Sequence, residues 1–148
     1  LRTSSKNNIH QLTIASHSYA SNNNDEFPSA SGVVLPNGRV LSPYIALLNY
    51  VEQDSWYWEL TTTKQSGFPT PRRIAVFQNP LDPSFAETKS GNWDFASYAI
   101  NTWSYLKGTG PNKGMGDGSS NTIGITERYA TRCKDFSSDW HMDIEQPM

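Results

Sequence analysis

The first 27 residues hold neither glycine nor proline, while all 10 glycines and 9 prolines fall in the rest of the chain. That asymmetry allows one uninterrupted helix at the start and only short elements after it. From Leu1 to about Ala20 the apolar residues Ile9, Leu12, Ala15 or Ser16, and Tyr19 recur at helical spacing, which predicts one helix with a narrow apolar stripe. Ser21-Asn22-Asn23-Asn24-Asp25 has the composition of a turn and is expected to end it, with Phe27-Pro28 opening irregular chain.

The remainder reads as a series of short elements. Val33-Val34-Leu35 and Arg39-Val40-Leu41 flank Pro36-Asn37-Gly38, where Asn-Gly suits the tight turn of a β-hairpin. Ser42-Pro43 supplies a capping hydroxyl and a first-position proline, and Ile45, Leu48 and Val51 carry a second helical stripe to about Gln53. Strands are expected over 56–63, Arg73–Phe77, Trp93–Trp103 and Thr122–Ala130, with a turn at Asn79-Pro80-Leu81-Asp82-Pro83 and a glycine-rich loop over 108–118. Residues 133–148 read as a polar, acidic tail, and no internal repeat is visible. Helix first, then short antiparallel strands, defines an α+β fold, in which the N-terminal helix packs on an antiparallel sheet within one domain spanning 1–148.

Composition narrows the function. With 12 basic and 14 acidic residues, and no basic run longer than Arg72-Arg73, the chain lacks the footprint of a nucleic-acid binder. A single cysteine, Cys133, excludes an internal disulfide and leaves the redox compartment open. No stretch approaches the roughly 20 apolar residues that cross a bilayer. The chain starts Leu1-Arg2-Thr3 without an initiator methionine, so it is expected to be processed or trimmed, and soluble as it stands. Aliphatic residues are few, and 5 Trp, 7 Tyr and 6 Phe are expected to supply much of the core.

Catalytic chemistry finds no constellation. The loop Gly108-Thr109-Gly110-Pro111-Asn112-Lys113-Gly114-Met115-Gly116 lacks phosphate-loop spacing and is followed by strand rather than helix. His10 and His17 stand two helical turns apart, about 10 Å, too far to share a metal. No nucleophile, base and orienting group can be named together, so the chain is read as a non-enzyme that needs no cofactor. Asp117, Ser119, Asn121 and Glu127 are oxygen donors of the kind calcium takes, but the same residues make local turns and backbone caps, and that is the preferred reading. In a Trp56-Tyr57-Trp58 strand, Trp56 and Trp58 would share one face, a platform for a sugar or other ligand, whereas Trp93 and Trp103 are expected in the core.

Three stretches carry a resemblance. Lys6-Asn7-Asn8-Ile9-His10-Gln11-Leu12 runs on to His17-Ser18-Tyr19 and Phe27-Pro28; Leu47-Leu48-Asn49-Tyr50-Val51-Glu52-Gln53 follows; and Asp117-Gly118-Ser119-Ser120-Asn121-Thr122-Ile123 precedes Glu127. In this order they resemble the signatures K-N-N-L-K-Q-I…H-x-Y…F-P, L-L-P-Y-L-E-Q and D-G-T-S-N-T-I…E of a bacterial prepilin-like family of unknown function. Arg72 to Pro83 matches a further stretch that ends C-P-S-D-P in the family. The chain departs from the pattern at Asn49, where the family has proline, and lacks the family's C-terminal H-x9-D-G stretch.

The resemblance implies a headgroup whose residues 1–20 are the C-terminal half of a longer helix, in a precursor with an N-terminal hydrophobic helix that is cleaved and methylated by a prepilin peptidase and assembles through that helix. It implies a structural role in a type IV pilus or type II secretion pseudopilus, at the periplasmic or extracellular face of the envelope. The partners implied are copies of itself or other pilin-like subunits, with the inner membrane before assembly and no nucleic acid. Asn7, Asn8, Glu52, Gln53, Asp117, Gly118, Ser120, Asn121, Thr122 and Glu127 carry the motifs. Relatives often hold cysteine where this chain has Ser5 and Asn79, which implies that the two positions are neighbours. The alternative is a secreted or surface module that binds a ligand or carbohydrate.

Overall fold

Helix α1, Arg2–Asn22, organises the fold. The computed structural model describes residues 2–34, 40–62, 74–84, 96–116 and 118–128. Of the predicted stripe, Leu12 is fully buried and Ile9 partly so, but small residues complete it: Ser5, Ala15, Ser16 and Ala20 are buried too. Small side chains let the helix lie close to what it covers, namely a 3-10 turn at Leu48–Tyr50, another at Ala75–Phe77, and strand Ile125–Glu127. Tyr19 sits at the edge of this face, its ring edge-on to Tyr50 at 5.9 Å.

The asparagine-rich turn ends α1 as expected. The Asp25 amide donates to the Ala20 carbonyl at 2.9 Å, and Asn24 takes a left-handed φ of 54°, the geometry of a Schellman cap with asparagine in place of glycine. Asn22 and Asn23 return side-chain amides to the Ser18 and Tyr19 carbonyls, so the last turn is capped by its own residues.

Strands β1 (Val33–Val34) and β2 (Val40–Leu41) pair antiparallel with Val33 opposite Leu41, and the Asn37-Gly38 turn between them lies outside the described residues. Ser42 caps α2, Pro43–Ala46, by accepting the Tyr44 amide, with Pro43 at the first turn. This helix is shorter than expected: it gives way to the 3-10 turn Leu48–Tyr50 and ends at Glu52, whose φ of 61° no continuing helix tolerates. Ile45, Leu47 and Leu48 are buried there.

The segment expected as a strand over 56–63 is instead helix α3, Asp54–Thr62. The Gln53 carbonyl accepts the amides of Trp56 and Tyr57, Asp54 complements the positive end of the helix dipole, and Trp56 and Leu60 form a four-residue-spaced buried pair. Aromatic strand propensity yields to that local start signal and to burial on a 3.6-residue period. Ile74-Ala75-Val76-Phe77, also expected as strand, forms the 3-10 turn Ala75–Phe77 with Ile74, Val76 and Phe77 buried. So short an apolar run carries no period that separates strand from turn.

Strand β3 is confined to Tyr98–Ile100 and β4 to Ile125–Glu127, antiparallel, with Tyr98 opposite Glu127 and Ile100 opposite Ile125. Trp103, expected in the core, lies in a turn and is 78% exposed, and Ile123, within the segment expected as strand, is 70% exposed. Backbone bonding explains Ile123: its carbonyl accepts the Asn101 side chain and the Gly124 carbonyl accepts the Asn101 amide, so the chain reaches strand register only at Ile125. The protein is thus α+β, with short strands.

The core has two parts. Leu12, Ile45, Leu48, Trp56, Phe77 and Tyr98 belong to the larger, while Ala20, Phe27, Ala30 and Tyr105 form the smaller. Ile100 and Ile125, cross-strand partners, pack against both. The small β3–β4 ladder is therefore the seam between them.

Candidate functional site

Two groupings of polar residues arise where α1 meets the rest of the molecule. The first lies near the start of α1. Asn8 donates its amide to the carbonyls of Ala75 (3.2 Å) and Gln78 (2.9 Å) and to the Tyr98 hydroxyl (3.2 Å). Ser5, one turn earlier and buried, donates to the Glu127 carboxylate and lies 3.1 Å from the Tyr98 hydroxyl. With the Ser5 proton committed to Glu127, the Tyr98 hydroxyl donates to Ser5 and accepts from Asn8, a chain in which each group is satisfied. It joins the first and third motif blocks, because Asn8 and Glu127 are linked through Tyr98 and Ser5. Its chemistry is adhesive: α1, the Ala75–Phe77 turn and the β3–β4 ladder are tied at one point.

The Asn79 turn sits beside this cluster. Asn79 is buried and its side-chain oxygen accepts the Leu81 amide at 2.9 Å, as the turn composition predicts. Next to it, the buried Asp82 carboxylate accepts from the Ser84 amide, the Ser84 hydroxyl and, at 2.7 Å, the Ser97 hydroxyl. Three donors offset the desolvation of the carboxylate and fasten the turn to the residue before β3.

The second grouping surrounds a cavity of about 230 Å³ between the C-terminal half of α1 and the third motif block. Thr13, Ser16 and His17 of α1 form one wall, and Ser119, Thr122 and Ile123 the opposite one. Phe27, Tyr105 and Met115 contribute to the lining. Phe27 and Tyr105 are stacked with centroids 4.9 Å apart, and His17 meets Phe27 edge-on at 5.6 Å. The Tyr105 hydroxyl donates to Ser16 at 2.9 Å, and burial raises its pKa above the ordinary tyrosine value. Sequence reasoning missed this cavity. Its one trace there was the place of Ser16 within an otherwise apolar stripe.

The remaining motif residues shape backbone. Gly118 holds a φ of 79°, its carbonyl accepts from the Thr122 hydroxyl at 3.0 Å and from the Asn121 amide, and Ser119–Asn121 form a 3-10 turn. Gln53 donates to the Leu48 carbonyl and accepts at the start of α3, while Glu52 supplies the left-handed turn between them. Asn7 and Ser120 are exposed. The oxygen set considered for calcium is divided: Glu127 is engaged by Ser5 near the start of α1, Ser119 lines the cavity against Thr13, Ser16 and His17, and Asp117 lies outside the described residues. Among the described residues no three His, Cys, Asp or Glu side chains gather as a metal site.

Trp56 and Trp58 share no face. Helix α3 buries Trp56 and leaves Trp58 66% exposed, since residues two apart on a helix point about 200° apart. Arg72, Arg73, Trp93, Cys133 and His141 lie outside the described residues. The glycine-rich loop, unsuited to phosphate, packs on the turn after α1: the Phe27 amide donates to Thr109, Lys113 pairs with Glu26 at 2.9 Å, and Gly110 abuts the Asp25 carbonyl.

A single long helix anchored on short antiparallel strands, with motif residues as ties and turns, defines a small α+β domain. The chain belongs to the family described as protein of unknown function (DUF1559), whose model matches residues 2–145. No curated protein and no solved structure matches it. Among the described residues, no helix is long and apolar enough to cross a membrane.

Proposed function

We propose that this domain is the headgroup of a prepilin-like protein, a non-enzymatic structural subunit of a pilus or secretion pseudopilus in the bacterial cell envelope. The observation that carries the reading is how α1 is held. Ser5 and Asn8 tie its first turns, Leu12 and Ser16 its middle, and the Ala20 to Asp25 cap its end. A helix fastened along its whole length acts as a rigid stem, able to pass axial load from an upstream segment into the domain. Its opening residues suit that role: Arg2 and Lys6 are cationic and the first turn holds no acidic residue, the charge of a helix interior rather than of a helix start.

On this reading the partners are other copies or other pilin-like subunits, joined through an upstream apolar helix. The inner membrane is the site of the precursor and the periplasmic or extracellular face the site of the headgroup. A carbohydrate-binding module built on Trp56 and Trp58 loses its platform, because the two rings lie on different sides of α3. The test is to express the full-length gene product with and without a prepilin peptidase and to determine the mature amino terminus by mass spectrometry. The headgroup reading expects peptidase-dependent cleavage just ahead of an apolar stretch, a methylated amino terminus and inner-membrane fractionation of the precursor. Cleavage by a signal peptidase, releasing a secreted domain, overturns it.

A further inference from the structure

The cavity between α1 and the Gly118 to Ile125 stretch presents a donor and an acceptor on each wall. On α1, the Thr13 hydroxyl gives its proton to the Ile9 carbonyl at 2.8 Å and keeps its lone pairs for a ligand, while the His17 imidazole brings a ring N–H. Opposite, the Thr122 hydroxyl donates to the Gly118 carbonyl at 3.0 Å and is likewise an acceptor, while Ser119 brings a hydroxyl able to donate. Neither the His17 ring nor the Ser119 hydroxyl has a hydrogen-bond partner among the described residues. Among those residues, no lysine, arginine, aspartate or glutamate lines the cavity.

A second feature adjoins it. Trp103 precedes Ser104, which lines the cavity, and stands exposed in a turn whose backbone is fixed. Its amide donates to the Asn101 side-chain oxygen at 3.1 Å, and the Asn101 side-chain amide donates to the carbonyl of Ile123, another lining residue, at 2.8 Å. A lone exposed tryptophan needs no explanation. One asparagine that ties an exposed indole to the rim of a polar cavity joins two parts of a single surface.

A sugar answers both parts. Each sugar hydroxyl donates and accepts, which matches the paired groups on the two walls, and the C–H face of a pyranose is apolar and packs on an indole. An anionic ligand would meet no lysine or arginine, and a cationic one no carboxylate. A hydrocarbon would displace water from these polar groups without replacing its hydrogen bonds. The volume of about 230 Å³ lies below the roughly 300–1,000 Å³ of drug-sized sites, which limits the enclosed part to one ring. We propose that this surface is a binding site for a neutral saccharide. One pyranose ring sits among Thr13, His17, Ser119 and Thr122, and the next sugar of the chain lies on Trp103. The site uses none of the Trp56 and Trp58 surface and is independent of the filament reading, since it lies wholly within the domain.

The test is a titration of the domain, followed by backbone amide NMR, with cellobiose, lactose and chitobiose as disaccharides of different stereochemistry and substitution, and cyclohexanol as a ring without the hydroxyl array. The expected result is saturable shifts at Tyr105, Gly124 and Ile125 with at least one disaccharide in the millimolar range, and at least about tenfold weaker binding of cyclohexanol. No saturable shift with any of the three disaccharides up to about 50 mM would overturn the proposal, as would cyclohexanol binding as tightly as the best of them. Trp103 and Ser119 are exposed, so Trp103→Ala and Ser119→Ala should leave the melting temperature unchanged. Trp103→Ala should weaken the best disaccharide about tenfold, and Ser119→Ala should weaken it measurably. Unchanged affinity in both folded variants, or shifts centred on Trp58 instead, would place the sugar elsewhere and refute the assignment.

Discussion

Gly110 illustrates a glycine held by contact rather than by conformation. A Cβ there would fall 1.6 Å from the Asp25 carbonyl oxygen, backbone against backbone, and nothing nearby can yield. Gly110→Ala is expected to cost about 3 kcal/mol or more by urea denaturation, whereas Gly116→Ala, with nothing within 4 Å, should be neutral within about 0.5 kcal/mol. A comparable loss in both variants would mean that loop flexibility, not the Asp25 contact, sets the requirement. Trp56 presents the opposite case. Its ring is buried, yet its indole N–H has no hydrogen-bond partner among the described residues, which costs about 1–3 kcal/mol of desolvation. Trp56→Phe removes that donor as it trims the ring, so it should cost about 1 kcal/mol or less, while Trp56→Ala should cost about 3–5 kcal/mol. Equal losses in thermal melts would show that the N–H is satisfied in solution.

Between elements, the tie from α1 to the Ala75–Phe77 turn rests on one asparagine. Asn8→Ala would leave the Ala75 and Gln78 carbonyls and the Tyr98 hydroxyl short of a donor, with an expected loss of about 1–3 kcal/mol in chemical denaturation. A change below about 0.5 kcal/mol would mean that water replaces Asn8 freely. The same tie bears on Ser5 and Asn79, the positions that the family resemblance implies are neighbours. Ser5 precedes Asn8 by one turn on the same face, Asn8 is bonded to the residue before Asn79, and both Ser5 and Asn79 are buried. Ser5→Cys/Asn79→Cys should therefore oxidise in air and raise the melting temperature, although it gives up the Ser5 bond to Glu127 and the Asn79 turn bond. Two free thiols after aerobic incubation would place the pair beyond disulfide reach. The family motif could suggest this adjacency only as a correlation of absent cysteines; the bonds from Asn8 give it a mechanical basis.

Taken whole, the molecule should fail at alkaline pH through its buried tyrosines. Burial raises the pKa of Tyr44, whose hydroxyl donates to the Tyr98 carbonyl, and also that of Tyr105. A folded-state pKa above the unfolded value of about 10 means that the unfolded chain sheds protons which the folded one keeps. The stabilisation is complete below pH 10 and is lost as pH rises from there toward the folded-state values. Tyr44→Phe should flatten that alkaline limb of stability while lowering stability at neutral pH by about 1 kcal/mol, the worth of one hydrogen bond. An unchanged limb would assign the alkaline loss to other groups.

The long first helix, its asparagine cap, the Ser42-Pro43 start, the Val33–Leu41 hairpin and the Asn79 turn were legible from residue order, because each depends on bonds within a few residues. Local chemistry of that kind is written in adjacent letters. The helical state of Trp56 to Thr62, the 3-10 turn at Ala75–Phe77 and the exposure of Trp103 and Ile123 were not, for their outcome turned on which side chains the assembled core buried and where the Asn101 bonds fixed strand register. The cavity was likewise invisible, being lined by residues far apart in sequence that meet only once α1, Tyr105 and Thr122 are brought together. Burial and long-range hydrogen bonding are properties of the assembled fold, and a one-dimensional pattern holds no record of which distant residues will meet.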